Sequence, residues 1–336
     1  MSILITGATG MLGAYLLKQI LENKTKENIC LTYRSDEKKQ LTLDFLKHFN
    51  ISENQLSGLI WKKGDLQDIC FVEECIENDM VIYHCAAVVS FNKKDADAMI
   101  KTNVRVTENI VNSVLNKTNV YLLHVSSIAA IGRENIEQVV SETSQWTNSS
   151  ANSAYAISKY LSEMEVWRGF EEGLKGSIIN PSIILGVFPK SISSLKLFDL
   201  ARNEFPFYST GENGFVDVVD IAKSMILLQE KRVVNSRFII STGNYSYQKI
   251  MNGIALGLDK KPPKYRTTLF LGRIALGLEL IKVIFGKKRE LSLDLLKTSL
   301  QKNHYDNKKF INTFDFKYKD IDESIMNHCQ YYKSLF

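Results

Sequence analysis

The run Thr6-Gly7-Ala8-Thr9-Gly10-Met11-Leu12-Gly13 constrains this chain more than any other stretch. A short apolar run stops at it, and Met11–Glu22 leaves it with helical spacing. A strand that turns on glycines into a helix gathers free backbone N–H groups and the positive end of the helix dipole at one point, where phosphates bind. Gly7 suits the tight turn, and Gly10 lets the backbone approach a pyrophosphate. Gly13 lets the helix pack close to the strand. Thr9, Met11 and Leu12 complete the loop. The expectation is a dinucleotide site.

The first half of the chain continues as alternating strands and helices. Apolar runs at 28–33, 59–62, 80–83, 121–125 and 176–180 alternate with helical patterns that include 101–115 and 155–172. Such alternation implies parallel βαβ units with right-handed crossovers and a sheet covered on both faces. The fold class is therefore α/β, a Rossmann-like doubly wound parallel sheet. The second half is less regular. Residues 191–214 read as loop, Pro262-Pro263 breaks the chain, and 238–241 reads as one more strand returning to the sheet. The division expected is a core of 1–188 and about 215–244, with a smaller, mostly C-terminal substrate lobe from about 189–214 and 245–336.

The end of the second strand bears on the choice of cofactor. A carboxylate there would accept hydrogen bonds from a free ribose, whereas an arginine suits a 2′-phosphate. The residues are Leu31-Thr32-Tyr33-Arg34-Ser35, so NADP is favoured over NAD. Asp36 close by is an alternative ribose acceptor.

Tyr155-Ala156-Ile157-Ser158-Lys159 places a tyrosine and a lysine on one helix face. A neighbouring ammonium stabilises a phenolate and makes proton exchange feasible near neutral pH. Val125-Ser126-Ser127 ends a parallel strand, where such sheets place their ligands, and a serine hydroxyl there can bond a substrate carbonyl. Asn103 is a candidate for holding a helix distortion or a water that relays protons to Lys159.

These pieces together resemble the extended short-chain dehydrogenase/reductases, the group that includes NAD-dependent epimerase/dehydratases, dihydroflavonol reductases and 3β-hydroxysteroid dehydrogenases. The resemblance runs through Thr6–Gly13, Gly64-Asp65-Leu66, Tyr83–Ala87, Thr102-Asn103-Val104, Val125–Ser127, Tyr155–Lys159 and Asn180–Gly186, and on to 215–222. It implies Tyr155 as acid/base, with Lys159 as its electrostatic partner and ribose ligand. It also implies Ser127 rather than Ser126 as the orienting serine, and Asn103 as the fourth member. Asp65 and Leu66 would meet the adenine. Cys85, Ala86 and Ala87 would line the groove, and Asn180, Pro181 and Ser182 would close over the nicotinamide. A homodimer through the helices bearing Asn103 and Tyr155 is implied as well.

Subfamily features are thinner. Residues 210–217 lack the arginine by which nucleotide-sugar enzymes of the group hold a diphosphate. Ala86–Phe91 and Tyr305–Phe310 resemble the reductase and steroid branches instead. The expected reaction interconverts a ketone or aldehyde and an alcohol on a fairly apolar small molecule. A nucleotide-sugar epimerase or dehydratase is one alternative, and a non-catalytic NADP sensor or scaffold is another.

Composition excludes several classes. A net charge of +5, spread along 336 residues, gives a nucleic-acid partner no support. Cys30, Cys70, Cys75, Cys85 and Cys329 form no CxxC pair, so buried free thiols are expected. No secretory pattern precedes the first strand, and a cytoplasmic protein is the expectation. The five histidines have no metal-ligand spacing. The apolar stretch 268–285 carries Arg273, Glu279 and Lys282, which argues against a membrane span of about 20 residues and for a packing or dimer helix, with an interfacial helix as the alternative.

Overall fold

The computed structural model describes residues 2–23, 27–90, 92–132, 139–149, 152–189, 195–267 and 299–335. Seven parallel strands make the main sheet: β1 (Ser2–Thr6), β2 (Ile29–Tyr33), β3 (Ile60–Lys63), β4 (Met80–His84), β5 (Tyr121–Val125), β6 (Lys175–Pro181) and, last in the chain, Ser236–Ile240. From that last strand the order across the sheet is β6, β5, β4, β1, β2, β3. The chain therefore winds outward from β1 in one direction, then crosses back to β4 and winds in the other. Between β1 and β4 the direction reverses, which opens a crevice at the carboxyl ends of the two strands. Thr6 is in register with His84, and His84 with His124.

Alternation along the strands explains why both faces are covered. Ile3 and Ile5 point into one core with Leu16, Leu17 and Phe45, while Leu4 points into the other with Val72, Ile110 and Val166. The first core is roofed by α1 (Met11–Glu22) and α2 (Asp36–His48), the second by helices that follow. These are, after the short α3 (Glu53–Ser57), α4 (Ile69–Cys75), α5 (Ala96–Leu115) and α6 (Ala154–Glu171).

The region 191–214, expected as loop, holds an α-helix, α7 (Leu195–Arg202), and two strands begin within it. Leu195, Phe198 and Ala201 recur at helical spacing and are buried. A second sheet joins β7 (Ile183–Leu185), β9 (Glu212–Asp217) and Gly243–Ser246, and a pair joins β8 (Phe207–Tyr208) to Tyr265–Arg266. In chain order the remaining strands are then β10 (Ser236–Ile240), β11 (Gly243–Ser246) and β12 (Tyr265–Arg266). The stretch 215–222 finishes β9 and opens α8 (Val218–Glu230), so the strand returning to the main sheet is β10.

Asp217 caps α8 by accepting from Val219 N–H at 2.7 Å. It also takes the Ser324 hydroxyl at 2.6 Å, tying down the last helix, Ile321–Leu335. The outer margin of β10 is plugged by side chains. Glu142 Oε1 accepts from Ile239 N–H at 2.8 Å, and Lys309 Nζ donates to Arg237 C=O at 2.8 Å. Among the described residues no helix is long and apolar enough to cross a membrane. The 268–285 segment weighed above lies outside them.

Candidate active site

The crevice begins with the glycine turn. Gly7 has φ of +72°, and a Cβ on it would lie 2.7 Å from Ala86 N. A Cβ on Gly13 would lie 2.3 Å from Gly7 C=O. Both are held by close backbone approach, and no larger residue fits. Gly10 opens α1 without a side-chain cap, whereas Ser35 caps α2 and Ser153 caps α6. An uncapped start beside glycines suits an anion on the helix dipole.

A buried hydrogen-bond chain ties the turn to β4 and α5. Ala86 N–H donates to Thr6 Oγ1 at 3.4 Å, and Thr6 Oγ1 meets His84 Nδ1 at 2.8 Å. His84 Nε2 meets Thr107 Oγ1 at 3.3 Å, and that hydroxyl donates to Asn103 C=O at 3.0 Å. An amide can only donate and a carbonyl only accept, so the ends fix the direction of the whole chain. Thr6 donates to Nδ1, and the His84 proton sits on Nε2. Burial, with Lys159 adding repulsion, pushes His84 down to about 3, so the ring is neutral.

Two side-chain oxygens further along the crevice, Asn180 Oδ1 and Ser182 Oγ, are buried without a partner in the protein. A buried acceptor without a donor is costly, and ligand donor groups would relieve it. Pro181 lies between them at the end of β6. The glycine cradle, the uncapped helix and these oxygens fit a dinucleotide. Leu66 is buried, Asp65 turns back to Gln67 N–H at 3.0 Å, and Cys85 to Ala87 follow β4 directly. Burial pushes the Cys85 thiol up to about 12.

At the adenosine end Arg34 is exposed just beyond β2. Asp36, the alternative ribose acceptor, forms an ion pair with Lys63. The hydrogen bond from Lys63 holds its carboxyl below the usual range.

The candidate reacting groups meet between β5 and α6. The Tyr155 phenol lies beside the Ser127 side chain, which favours its ionised form. Ser127 Oγ accepts from Ala129 N–H at 3.1 Å, capping a short 3-10 turn. Ser126 turns the other way and donates to Glu163 at 2.6 Å, so Ser127 is the serine that faces the tyrosine. Lys159 is buried and donates to Val125 C=O at 3.0 Å. Burial pushes Lys159 down to about 8 against the opposing pull of Cys85 and Glu163. Burial also raises the Tyr155 phenol, and the Ser127 side chain counteracts it. Near neutral pH this leaves a protonated phenol, with the Lys159 ammonium one turn further along α6 and bonded to Val125 C=O.

The Asn103 carboxamide is engaged on Val88 and on Ser158 Oγ, the latter at 2.7 Å. It thereby joins α5, α6 and the stretch that follows β4. Sequence reasoning did not single out Glu163, Ser158, Thr6 or Thr107. Glu163 had a visible signal, since Tyr155, Lys159 and Glu163 stand four apart on one helix face.

A family profile described as Male sterility protein, an NAD-binding domain, matches residues 5–244. The chain belongs to this family. It is thus an NAD-binding member of the extended short-chain dehydrogenase/reductases. The anthocyanidin reductase of Arabidopsis thaliana is 26% identical over 308 residues, 85% of this chain and 86% of that protein. The fold is shared with UDP-glucose 4-epimerase from Thermotoga maritima, solved with UDP-glucose, at a TM-score of 0.74 and 17% identity over 100% of this chain and 99% of that one. It is shared also with Gre2 from Candida albicans, solved with NADPH, at 0.71 and 20% over 98% of each.

Proposed function

We propose that this member of the male sterility protein family is an NADPH-dependent reductase that interconverts a ketone or aldehyde and an alcohol, with Tyr155 as acid/base. The observation that carries the reading is the gathering of Ser127, Tyr155 and buried Lys159 where β5 ends against α6, with Lys159 fixed on Val125 C=O and Ser126 turned away to Glu163. Nicotinamide held along the glycine turn and the Asn180–Ser182 end would supply the hydride. The chain's own groups do the rest. Ser127 holds the carbonyl oxygen, and Tyr155 gives it the proton it needs to become a hydroxyl. Lys159 keeps positive charge beside the phenolate left behind.

Residues 210–217 offer no arginine for a sugar-nucleotide diphosphate, and Asn213 there is buried. The partially exposed Val88–Val89 stretch beyond the groove favours an apolar small molecule as partner. A second copy would dock on α5 and α6, where Leu161 and Met164 are exposed; light scattering tests that part of the reading. The chemistry is tested with Tyr155→Phe. Turnover of a carbonyl panel should fall by at least about a hundredfold while NADPH still binds. A fully active variant sinks the mechanism.

A further inference from the structure

Glu163 is the most heavily engaged charged group beside the candidate reacting set. Its side chain is 3% exposed, and each carboxylate oxygen takes two donors. Oε2 accepts from Ser126 Oγ at 2.6 Å and Asn180 Nδ2 at 2.8 Å. Oε1 accepts from Arg237 Nη1 at 3.1 Å and Trp167 Nε1 at 3.2 Å. Those donors come from four places: the exit of β5, the end of β6, β10, and α6 itself.

Two of the four bear on Ser127. Ser126 is its chain neighbour, and its N–H is already fixed on Ile179 C=O at 2.8 Å. Asn180 Nδ2 donates to Ser127 C=O at 2.9 Å as well as to Glu163. The serine that faces Tyr155 is therefore held by its backbone on one side and by its neighbour's hydroxyl on the other. Both holds run to a carboxylate two helical turns beyond Tyr155 on the same face of α6. Arg237 extends the clamp to the segment after the 3-10 turn, donating to Glu142 C=O at 2.8 and 2.6 Å and to Ser144 C=O at 3.1 Å.

We propose that Glu163 is a positioning residue: its buried carboxylate fixes the exit of β5 against α6 and so sets the Ser127–Tyr155 contact. The inference rests on the reading of Tyr155 and Ser127 given above. A carboxylate is the group suited to this place, because it accepts four hydrogen bonds and donates none. Glutamine in the same volume would bring two N–H groups into a ring of donors. The ion pair with Arg237 keeps the buried charge compensated.

The test follows the 336-residue chain by NMR with 13Cζ-tyrosine, assigning the Tyr155 resonance by its loss in Tyr155→Phe. Glu163→Gln and Ser126→Ala should each shift that resonance, whereas Glu172→Gln, an exposed partner of Arg168, should leave it unmoved. NADPH affinity should stay within about twofold, and turnover of any carbonyl probe reduced by the native chain should fall about ten- to a hundredfold, as misplacement of reacting groups does. If Glu163→Gln is insoluble, Ser126→Ala decides, since it keeps the charge and removes one donor. A Tyr155 resonance that stays in place in the soluble variants overturns the proposal. That outcome is separate from failure of the mechanism, which shows instead as undiminished activity in Tyr155→Phe.

Discussion

Asn103 grips Val88 from both sides, accepting its N–H at 2.7 Å and donating to its C=O at 2.9 Å. One side chain thus does for Val88 what a neighbouring strand would do, and it adds Ser158 Oγ. Asn103→Ala would leave these groups without their partner, the Val88 pair partly buried and the Ser158 hydroxyl fully so. The expected cost is about 2–4 kcal/mol, read as a lower Tm, with faster amide exchange at Val88. Unchanged exchange there would contradict the clamp.

The glycine turn predicts a sharp contrast between alanine substitutions. Gly13→Ala forces a methyl to 2.3 Å from Gly7 C=O, and the atoms it meets are backbone. The turn must open, and NADPH affinity should fall by at least about tenfold, or about 1.4 kcal/mol. Gly58→Ala, whose methyl meets nothing nearer than 3.6 Å, is the control and should leave affinity unchanged. Fluorescence titration of both variants measures the contrast.

Arg34 is exposed beyond β2, while Asp36 is occupied by Lys63. A guanidinium gives a phosphate dianion two parallel hydrogen bonds that a ribose hydroxyl cannot use in the same way. Arg34→Ala should weaken NADPH by about tenfold or more and leave NADH nearly unchanged. Equal losses for the two would remove the basis for preferring NADP.

His84 makes stability sensitive to acid. Its folded value is about 3, against an ordinary value of 6.5, because the buried ring resists charge. Between those values the unfolded chain binds the proton and the folded chain does not. Stability is therefore full above pH 6.5 and falls as pH drops towards 3, by about 1.4 kcal/mol per pH unit for this group. His124, buried and pushed the same way, steepens the slope. Urea unfolding of the native chain and His84→Gln at pH 7 and 5 should show a shallower pH dependence in the variant.

Much of this architecture is legible where local pattern and tertiary role agree. α1 and β5 have the bounds read for them from the hydrophobic pattern. α2 did not stand out, because only Thr42, Phe45 and Leu46 of its 13 residues are buried and the rest is polar. α7 shows its period over only two turns, and the strands β7 to β9 are of three, two and six residues. Ser127, Tyr155 and Lys159 were readable as motifs. Glu163 shares the four-residue spacing of Tyr155 and Lys159 but did not stand out, because a polar buried face looks like a solvated one: Ser158, Lys159, Ser162 and Glu163 all lie inside. Nor does spacing show that Asn103 spends its amide on Val88, since that bond joins α5 to a loop 15 residues earlier.

The plugs on β10 have a consequence for association. Main-chain pairing with a new strand needs the N–H of Ile239 and the C=O of Arg237, and Glu142 and Lys309 occupy both. At the opposite margin β3 is four residues long and ends in Trp61-Lys62-Lys63, a charged finish that discourages another strand. The sheet is thus closed at the β10 flank and only discouraged at β3, and fibrillar growth across β10 would first have to break a carboxylate or an ammonium away from the backbone it guards.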